Sequence, residues 1–381
     1  MCENHVAQDG GSRLKVVYVE DRDQDAENYI PMLTIGGKMN IDRLPPSSHL
    51  DVGAIISKAP ELVLIDYELS RKRRNGEMAS YQGGTLATRL REQLRDYPIV
   101  LFTRRKILSE YSPQEELGAV DYVLYKEDLE RAPQENIRRL MGIANGFASL
   151  RDVSPKTWSS LLKILQAGSL ETDILHEAGA PIKIREGTGR TRRSGNGRKR
   201  AGLVWSVRGV AKWIMETLFE YPGILYDSLY ASASIGIEEK SFLDSKVQRC
   251  FREARYVGPF HIVERRWWKG RLHEEAFRYI RKAKLKPTLA ESFPQAFTRV
   301  TRKTVLPSTC VYSGEKPADC ICYILRQPVR RKYTLEYFPD ERPAVMDVAL
   351  VSYKAIREDN RVQDELFGTS GLRLLSGVRR K

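Results

Sequence analysis

Short apolar runs alternate with amphipathic segments through the first 150 residues. The apolar runs predict strands at 14–19, 39–44, 61–65, 98–102 and 121–125. The segments between and after them predict helices near 22–34, 49–59, 84–96, 106–117 and 134–150. Apolar runs of this length are typical of buried parallel strands, and their alternation with helices is typical of a doubly wound sheet. We therefore expect a five-stranded α/β domain at 13–150.

Beyond this domain the apolar pattern becomes mainly helical. Residues 151–186 predict a helical connector, and the Gly- and Arg-rich residues 187–202 predict a basic linker. Residues 203–285 predict further helices, with a turn at Gly236 that is compatible with a helix-turn-helix. Residues 286–381 combine β-rich runs with turn signals, which predict a mixed α/β segment with a small β-containing end.

Polar side chains follow four of the predicted strands. Glu20 and Asp21 follow the first strand, Asp66 the third, Thr103 the fourth and Lys126 the fifth. Because ligands bind outside the carboxyl ends of the strands in open α/β sheets, we expect these side chains to converge. Acids, a hydroxyl and an ammonium together suit a divalent metal beside a phosphorylated aspartate.

On these residues the segment resembles the receiver domain of bacterial two-component response regulators, whose sheet is flavodoxin-like. The resemblance implies that Asp66 is the phosphorylated aspartate and that a sensor histidine kinase is the partner. It implies that Thr103 and Lys126 bind the phosphoryl group, and that Tyr122 is the switch aromatic on the last strand. The only chemistry implied is that of the phosphoryl group on the aspartate, and no other catalytic site is evident.

The same resemblance implies a Mg²⁺ site at the edge of the sheet. Its ligands would be the carboxylates of Glu20, Asp21 and Asp66, with the backbone carbonyl of Glu68 as a further oxygen. Hard oxygen ligands beside a phosphoryl group are what Mg²⁺ prefers. The metal would also neutralise carboxylates that otherwise repel the phosphoryl group.

Three positions depart from the family pattern. A small residue usually follows the threonine, whereas this chain has Arg104. The lysine is usually followed by proline, whereas here it is followed by Glu127, and Lys126 lies one residue further from Gly118 than the family spacing. A second interpretation therefore stays open: an adaptor or scaffold whose degenerate receiver mediates protein–protein contacts in a stress or phage-defence assembly.

Charge is divided unevenly along the chain. Residues 1–150 contain 20 Lys and Arg against 23 Asp and Glu, while residues 151–381 contain 43 against 26. A strongly basic body predicts an acidic partner, with DNA first, although a solvated basic surface is the alternative. The candidate nucleic-acid-binding residues are Arg190, Arg192, Arg193, Arg198, Lys199 and Arg200 in the linker, and Lys246, Arg249, Arg252, Arg265 and Arg266 in and after a helix predicted at 244–258.

Composition limits the remaining classes. No apolar stretch approaches the ~20 residues that a membrane helix requires, so we expect a cytoplasmic protein without a membrane partner. Five cysteines are too few for a disulfide scaffold. Cys310, Cys320 and Cys322 do not have a usual zinc spacing, and both burial and metal binding stay open for them. The target sequence, the kinase and the existence of a homodimer also stay open.

Overall fold

The structure is a computed structural model. It describes residues 13–47, 52–69, 79–111, 117–155, 157–169, 171–172, 175, 205–286, 292–339, 343 and 345–359. Two compact units are present: the first comprises residues 1–156 and 184–212, and the second comprises residues 157–183 and 213–381. The predicted linker at 187–202, with its six candidate arginine and lysine residues, lies outside the described residues.

A parallel sheet of five strands forms the centre of the first unit. Its strands are β1 (Leu14–Val19), β2 (Met39–Leu44), β3 (Leu62–Asp66), β4 (Ile99–Thr103) and β5 (Tyr122–Tyr125). The order across the sheet is β2-β1-β3-β4-β5, with every pair parallel. This is the flavodoxin-like strand order. The fold expected from the sequence is confirmed.

Helices cover both faces of this sheet. They are α1 (Asp23–Leu33), α2 (Val52–Ser57), α3 (Gly83–Gln93), α4 (Arg105–Tyr111), α5 (Lys126–Arg131) and α6 (Pro133–Val153), with a 3₁₀ turn at Ile35–Gly37. One core cluster joins α2, α3 and α4 to the sheet, and a second joins α1 and α6 to the opposite face. The sheet is therefore doubly wound.

The sequence did not predict α5. Five helices were expected in this unit, but the residues after β5 form a separate six-residue helix before the last one. Ala132 breaks the two helices apart with an extended φ of −143°, and Pro133 then begins α6. Proline suits the first turn of a helix because its missing N–H has no partner there in any case.

A further helix, α8 (Val207–Lys212), belongs to the first unit and packs against α6. Its Arg208 donates from Nε to Asp121 Oδ1 at 2.7 Å. The other carboxylate oxygen of Asp121 accepts from Arg91 Nη2 at 2.5 Å. Because the Asp121 side chain is fully buried, this shared ion pair holds the residues that follow the linker against the start of β5.

The second unit is mainly helical. Its helices are α7 (Trp158–Leu165), α9 (Ser228–Ser234), α10 (Glu239–Phe242), α11 (Ser245–Cys250), α12 (Lys269–Lys282), α13 (Ser292–Thr301) and α14 (Tyr353–Glu358), with a π-helix at Trp213–Phe219 and a 3₁₀ turn at Arg331–Tyr333. Its described residues also form three antiparallel pairs: β6 (Leu225–Tyr226) with β7 (Trp267–Trp268), β8 (Cys320–Cys322) with β9 (Gln327–Val329), and β10 (Thr334–Tyr337) with β11 (Ala349–Ser352). The expected helical body with a small β-containing end is confirmed.

Two expectations for this body were wrong in detail. The helix expected over 244–258 ends at Cys250, because residues 251–254 form turns. The sequence of residues 258–272 also suggests a strand and a loop, but the structure has only the two-residue strand Trp267–Trp268 there, and α12 begins directly after it. Both tryptophans are fully buried and so belong to the core rather than to a surface that stacks on bases. Among the described helices, none is both long and apolar enough to cross a membrane.

Candidate functional site

The polar residues predicted at the strand ends converge at one edge of the sheet. Glu20 directly follows β1, Asp66 and Thr103 are the last residues of β3 and β4, and Lys126 directly follows β5. All four are buried, with exposed fractions of 2% or less. Parallel strands place their carboxyl ends at the same edge, which is why residues far apart in sequence meet here.

The ammonium of Lys126 lies between three carboxylates. Its Nζ donates to Asp25 Oδ2 at 2.9 Å, to Asp66 Oδ2 at 3.0 Å and to Glu20 Oε2 at 3.1 Å. The lysine therefore does not turn to solvent, despite its unusual distance from Gly118. Asp25 was not among the residues predicted from the sequence.

Aromatic rings exclude water from this cluster. The Lys126 ammonium lies 5.3 Å from the centre of the Tyr29 ring and 5.5 Å from that of Phe102. The Tyr18 hydroxyl donates to Glu20 Oε2 at 2.6 Å. In such a low-dielectric environment the interactions between the charges are stronger than in water, and unbalanced charge is costly.

Negative charge is in excess in this cluster, and the pKa values reflect it. Burial, and then the charge of Glu20, raise the pKa of Asp66 to about 8, although Lys126 opposes the shift. Burial favours the neutral form of Lys126, but the charges of Asp66 and Glu20 raise its pKa above the usual value. Lys126 stays charged, and the cluster as a whole favours an additional positive charge.

Two buried oxygens show what the cluster accommodates. Asp66 Oδ1 and Thr103 Oγ1 are buried, and neither forms a hydrogen bond within the described part of the chain. Buried polar atoms normally have partners, so each of these two atoms has room in its hydrogen-bonding capacity for a bound group. A cation among the carboxylates and an anionic oxygen beside Thr103 Oγ1 fit these positions and the excess of carboxylates.

The expected metal ligands differ in their surroundings. Asp21 is buried beside Glu20. The carboxylate of Glu68 lies 2.5 Å from Arg22 Nη2, so its side chain is engaged elsewhere, which leaves the backbone carbonyl as the expected ligand atom. Oxygens of Glu20, Asp25 and Asp66 all lie within 4.8 Å of one another, which is close enough for one cation.

The sequence analysis did not predict Asp25 as a site residue because it lies in the first turn of α1 rather than at a strand end. Burial opposes its ionisation, but Lys126 and then Arg22 hold its pKa below the usual value. The position of Asp25 in the sequence could have indicated this, because the first turn of a helix that directly follows a strand lies at the same edge of the sheet as the end of that strand.

Arg104 does not fill the site. Its Nη2 donates to the Tyr29 hydroxyl at 3.0 Å and lies 3.9 Å from Glu130 Oε1. The side chain is 41% exposed, and so lies toward solvent. Although the family usually has a small residue here, the guanidinium of Arg104 does not contact Asp66 Oδ1 in this structure.

The position of Tyr122 does not match the expected switch aromatic. Its side chain packs with the core cluster of α1 and α6, whereas α4 lies on the opposite face of the sheet. Because side chains alternate along a strand, Val123 and Tyr125 occupy the face of β5 beside α4. The guanidinium of Arg105 on α4 lies 4.1 Å from the centre of the Tyr125 ring. Tyr125 is therefore the aromatic that contacts α4.

Of the candidate nucleic-acid residues in the body, four are exposed: Lys246, Arg249, Arg252 and Arg265. Arg266 is 6% exposed, and its Nη2 donates to Glu264 at 2.7 Å. The expectation for Arg266 was wrong, because a buried and paired guanidinium is not available to a phosphate. The six linker candidates, from Arg190 to Arg200, lie outside the described residues.

The cysteines of the body do not form a metal site within the described residues. Cys310 and Cys322 are buried, and Cys320 is partly buried. The one group of three potential ligands that meets within a cation's reach in the described ranges is Glu20, Asp25 and Asp66. Burial is therefore the better explanation of the three cysteines.

The chain was compared with known families, curated proteins and solved structures. No protein-family model and no curated protein matches the chain. The strand order and the residues at the carboxyl edge carry the assignment of the first third. The first third of the chain has a receiver fold.

The first third of the chain is similar to several solved structures, three of which follow. TrrA from Thermotoga maritima, in complex with Mg²⁺ and BeF, is 20% identical and covers 33% of this chain and 98% of its own, with a TM-score of 0.26. A DNA-binding response regulator of the LuxR family from Staphylococcus aureus is 18% identical, with coverages of 35% and 98% and a TM-score of 0.27. A response regulator receiver domain protein from Clostridium thermocellum is 17% identical, with coverages of 33% and 95% and a TM-score of 0.24.

Proposed function

We propose that the protein is a response regulator. A sensor histidine kinase transfers a phosphoryl group to Asp66, and the state of the receiver controls a basic body that binds DNA in the cytoplasm. The observation that carries the proposal is that two buried oxygens at the ends of β3 and β4, Asp66 Oδ1 and Thr103 Oγ1, have no hydrogen-bond partner in the described residues, while the ammonium of Lys126 lies 3.0 Å from Asp66 Oδ2.

Each side chain has a defined part in the transfer. Asp66 Oδ1 forms the new bond to phosphorus while the bond between phosphorus and the histidine nitrogen of the kinase breaks, and the electron pair of that bond stays with the nitrogen. The Thr103 hydroxyl donates a hydrogen bond to a phosphoryl oxygen. Lys126 already donates to Asp66 Oδ2 at 3.0 Å and turns to the phosphoryl group with a small movement.

Mg²⁺ is the cofactor in this proposal. Asp21, Asp66 and the backbone carbonyl of Glu68 would hold it, with Glu20 beside them. The metal supplies positive charge that offsets the carboxylates and the phosphoryl oxygens. The same charge favours the ionised, nucleophilic form of Asp66, whose pKa is otherwise raised by burial.

Phosphorylation alters the charge balance around Lys126. The phosphoryl group adds between about 1.5 and 2 negative charges at neutral pH, and it competes with Glu20 and Asp25 for the ammonium. Residues next to Thr103 respond first, since α4 begins at Arg105 immediately after β4. The packing of Arg105 against Tyr125 then differs between the phosphorylated and the unphosphorylated receiver.

DNA is the favoured target because of the charge of the body. Residues 151–381 contain 43 Lys and Arg against 26 Asp and Glu, whereas residues 1–150 contain slightly more acids than bases. A concentration of positive charge in one part of a chain is typical of proteins that bind nucleic acid. Regulation of transcription is the corresponding role.

The test is chemical phosphorylation of the full-length chain. With a small-molecule phosphodonor and Mg²⁺, the wild type becomes labelled, Asp66→Asn does not, and Asp42→Asn, which alters an exposed carboxylate on β2, labels like the wild type. Equal labelling of Asp66→Asn would overturn the assignment of Asp66. No labelling of the wild type would overturn phosphotransfer and favour an adaptor with a receiver fold.

A further inference from the structure

Cations in the second unit divide into two groups by their partners. Many are paired with acids of the same unit. Lys269 Nζ lies 2.6 Å from Asp347 Oδ1, and Arg326 Nη2 lies 2.6 Å from Asp227 Oδ2. Such pairs neutralise each other, so these residues contribute little to a field that attracts a polyanion.

The C-terminal part of α12 and the residues after it form the other group. Residues 277–286 contain five cations and no acid. Arg281, Lys282, Lys284 and Lys286 are exposed, and none of them forms an ion pair with an acid in the described residues. Favourable interaction with the helix C-terminus explains cations in the last turn, but Lys284 and Lys286 lie beyond the helix.

Neighbouring helices extend this unpaired charge. Arg299 on α13 donates from Nη1 to the carbonyl of Ala283 at 3.1 Å, which fixes α13 beside the end of α12. On the other side, Val247 and Cys250 of α11 belong to the same buried core cluster as Ala276 and Ile280 of α12, so α11 is also adjacent. We define the α12 basic patch by its exposed members: Lys246, Arg249, Arg281, Lys282, Lys284, Lys286, Arg299 and Arg302.

An aromatic ring holds part of the patch in position. Lys282 Nζ lies 5.8 Å from the centre of the Tyr279 ring, and Tyr279 packs in turn against Phe297 of α13 with 5.6 Å between ring centres. A cation on an aromatic face gains a favourable interaction. The helical part of the patch is thus supported by the packed core between α12 and α13.

A groove borders the patch on α13. Its volume is about 550 Å³, and Gln295, Thr298, Arg299 and Lys316 are among the residues that line it. None of its lining residues is acidic. Amide, hydroxyl and basic side chains are the groups that contact phosphate and sugar oxygens in protein–DNA complexes.

We propose that the α12 basic patch is the surface that binds the phosphate backbone of double-stranded DNA. The proposal rests on the DNA-binding output given above and locates it on α11, α12 and α13. It also replaces the expected surface around Arg252, Arg265 and Arg266, of which Arg266 is buried. Contacts of this kind position a protein on DNA without reading its sequence.

The experiment compares two sets of substitutions with the same change in charge. In the patch set, Arg281, Lys282, Lys284 and Lys286 are each changed to Gln in the full-length chain. In the rival set, Lys240, Arg252, Arg255 and Arg265, which are exposed in the same unit, are each changed to Gln. Binding to a mixed-sequence duplex is measured by fluorescence anisotropy across a salt series, with circular dichroism to check that both variants are folded.

Each lost phosphate contact lowers the slope of log affinity against log salt by about 0.9. For the patch set we expect the slope to fall by about 3 to 4 and the affinity at physiological salt to fall on the order of a hundredfold or more. For the rival set we expect a smaller loss, because those residues act only through the general field of the protein.

The outcomes separate this inference from the proposed function. If the wild type binds the duplex and the rival set loses as much affinity as the patch set, the location is overturned while the DNA-binding output stands. Tighter binding to a single-stranded RNA than to the duplex at equal salt would overturn DNA as the ligand. If neither phosphorylated nor unphosphorylated wild type binds DNA, the DNA-binding output itself fails.

Discussion

Two clusters of charge differ in sign, burial and partners. At the edge of the receiver sheet, Glu20, Asp25 and Asp66 share the single ammonium of Lys126 away from water. In the α12 basic patch, cations accumulate at the surface without acids in the described residues to pair with them. The first cluster has an excess of negative charge, and the second an excess of positive charge.

The difference teaches how each cluster is used. Buried charge must be balanced within a few ångströms, so the receiver cluster suits the small cation and the phosphoryl group of the proposed function. Exposed charge is screened and needs no local balance, so the patch suits a long polyanion that releases counterions. In the proposed function the first cluster acts through defined geometry, whereas the proposed DNA contact of the second depends on its total charge.

Removal of Lys126 is the change with the largest expected effect on the buried cluster. Lys126→Met leaves three carboxylates without their ammonium, and we expect a loss of about 3 to 5 kcal/mol in the free energy of unfolding at neutral pH. Urea denaturation measures this loss. We also expect Mg²⁺ to restore more stability to Lys126→Met than it adds to the wild type, because the metal replaces the lost positive charge.

The matched control is Lys58→Met, which breaks the exposed pair between Lys58 and Asp42. For this pair we expect a change of at most about 1 kcal/mol. Equal losses in the two variants would show that the three carboxylates do not depend on Lys126.

The pH dependence of stability tests the environment of Asp66. Its pKa is raised from the usual 3.8 to about 8 in the folded protein, first by burial and then by Glu20. Between these values the folded state holds a proton that the unfolded chain releases, so stability is greatest at low pH and falls as pH rises through this window. The contribution of Asp66 to this slope is at most about 1.4 kcal/mol per pH unit.

Asp66→Asn removes this titration. The wild type loses free energy of unfolding between pH 4 and pH 8 as Asp66 ionises, and the variant does not. The free energy of unfolding of the variant minus that of the wild type therefore increases over this range, and chemical denaturation at a series of pH values measures it. A constant difference across this range would mean that Asp66 is ionised throughout and that its burial is compensated elsewhere.

The exposed patch gives the smallest expected effect on stability. Lys284→Gln and Lys286→Gln together alter charge without altering any ion pair among the described residues, so we expect a change within about 0.5 kcal/mol for each. Thermal unfolding at low and high salt measures it. A clear loss of stability would indicate that these lysines support the fold, and would weaken the contrast between the two clusters.

The sequence predicted the receiver because its strands are buried on both faces and therefore read as apolar runs. Glu20, Asp66, Thr103 and Lys126 followed from that pattern, since strand ends meet at one edge of a parallel sheet. Asp25 was missed because it reaches the same edge from a helix. The resemblance named Tyr122 as the switch aromatic, but side chains alternate along β5, and the aromatic that contacts α4 in the structure is Tyr125.

The body was harder to predict for a physical reason. Its helices are short and its packing depends on tertiary contacts, such as the burial of Trp267 and Trp268, that leave no periodic pattern in the sequence. Whether an arginine is paired also depends on the fold. Arg266 is buried against Glu264, while Arg265, its neighbour in sequence, is exposed.

The most direct test of the central claim is to locate the phosphoryl group. The full-length protein is treated with a small phosphodonor and Mg²⁺, the acyl phosphate is reduced with borohydride, and the peptides are analysed by mass spectrometry. The proposed function predicts homoserine at position 66 in the wild type. An unmodified Asp66, or reduction at another carboxylate such as Asp25, would contradict it.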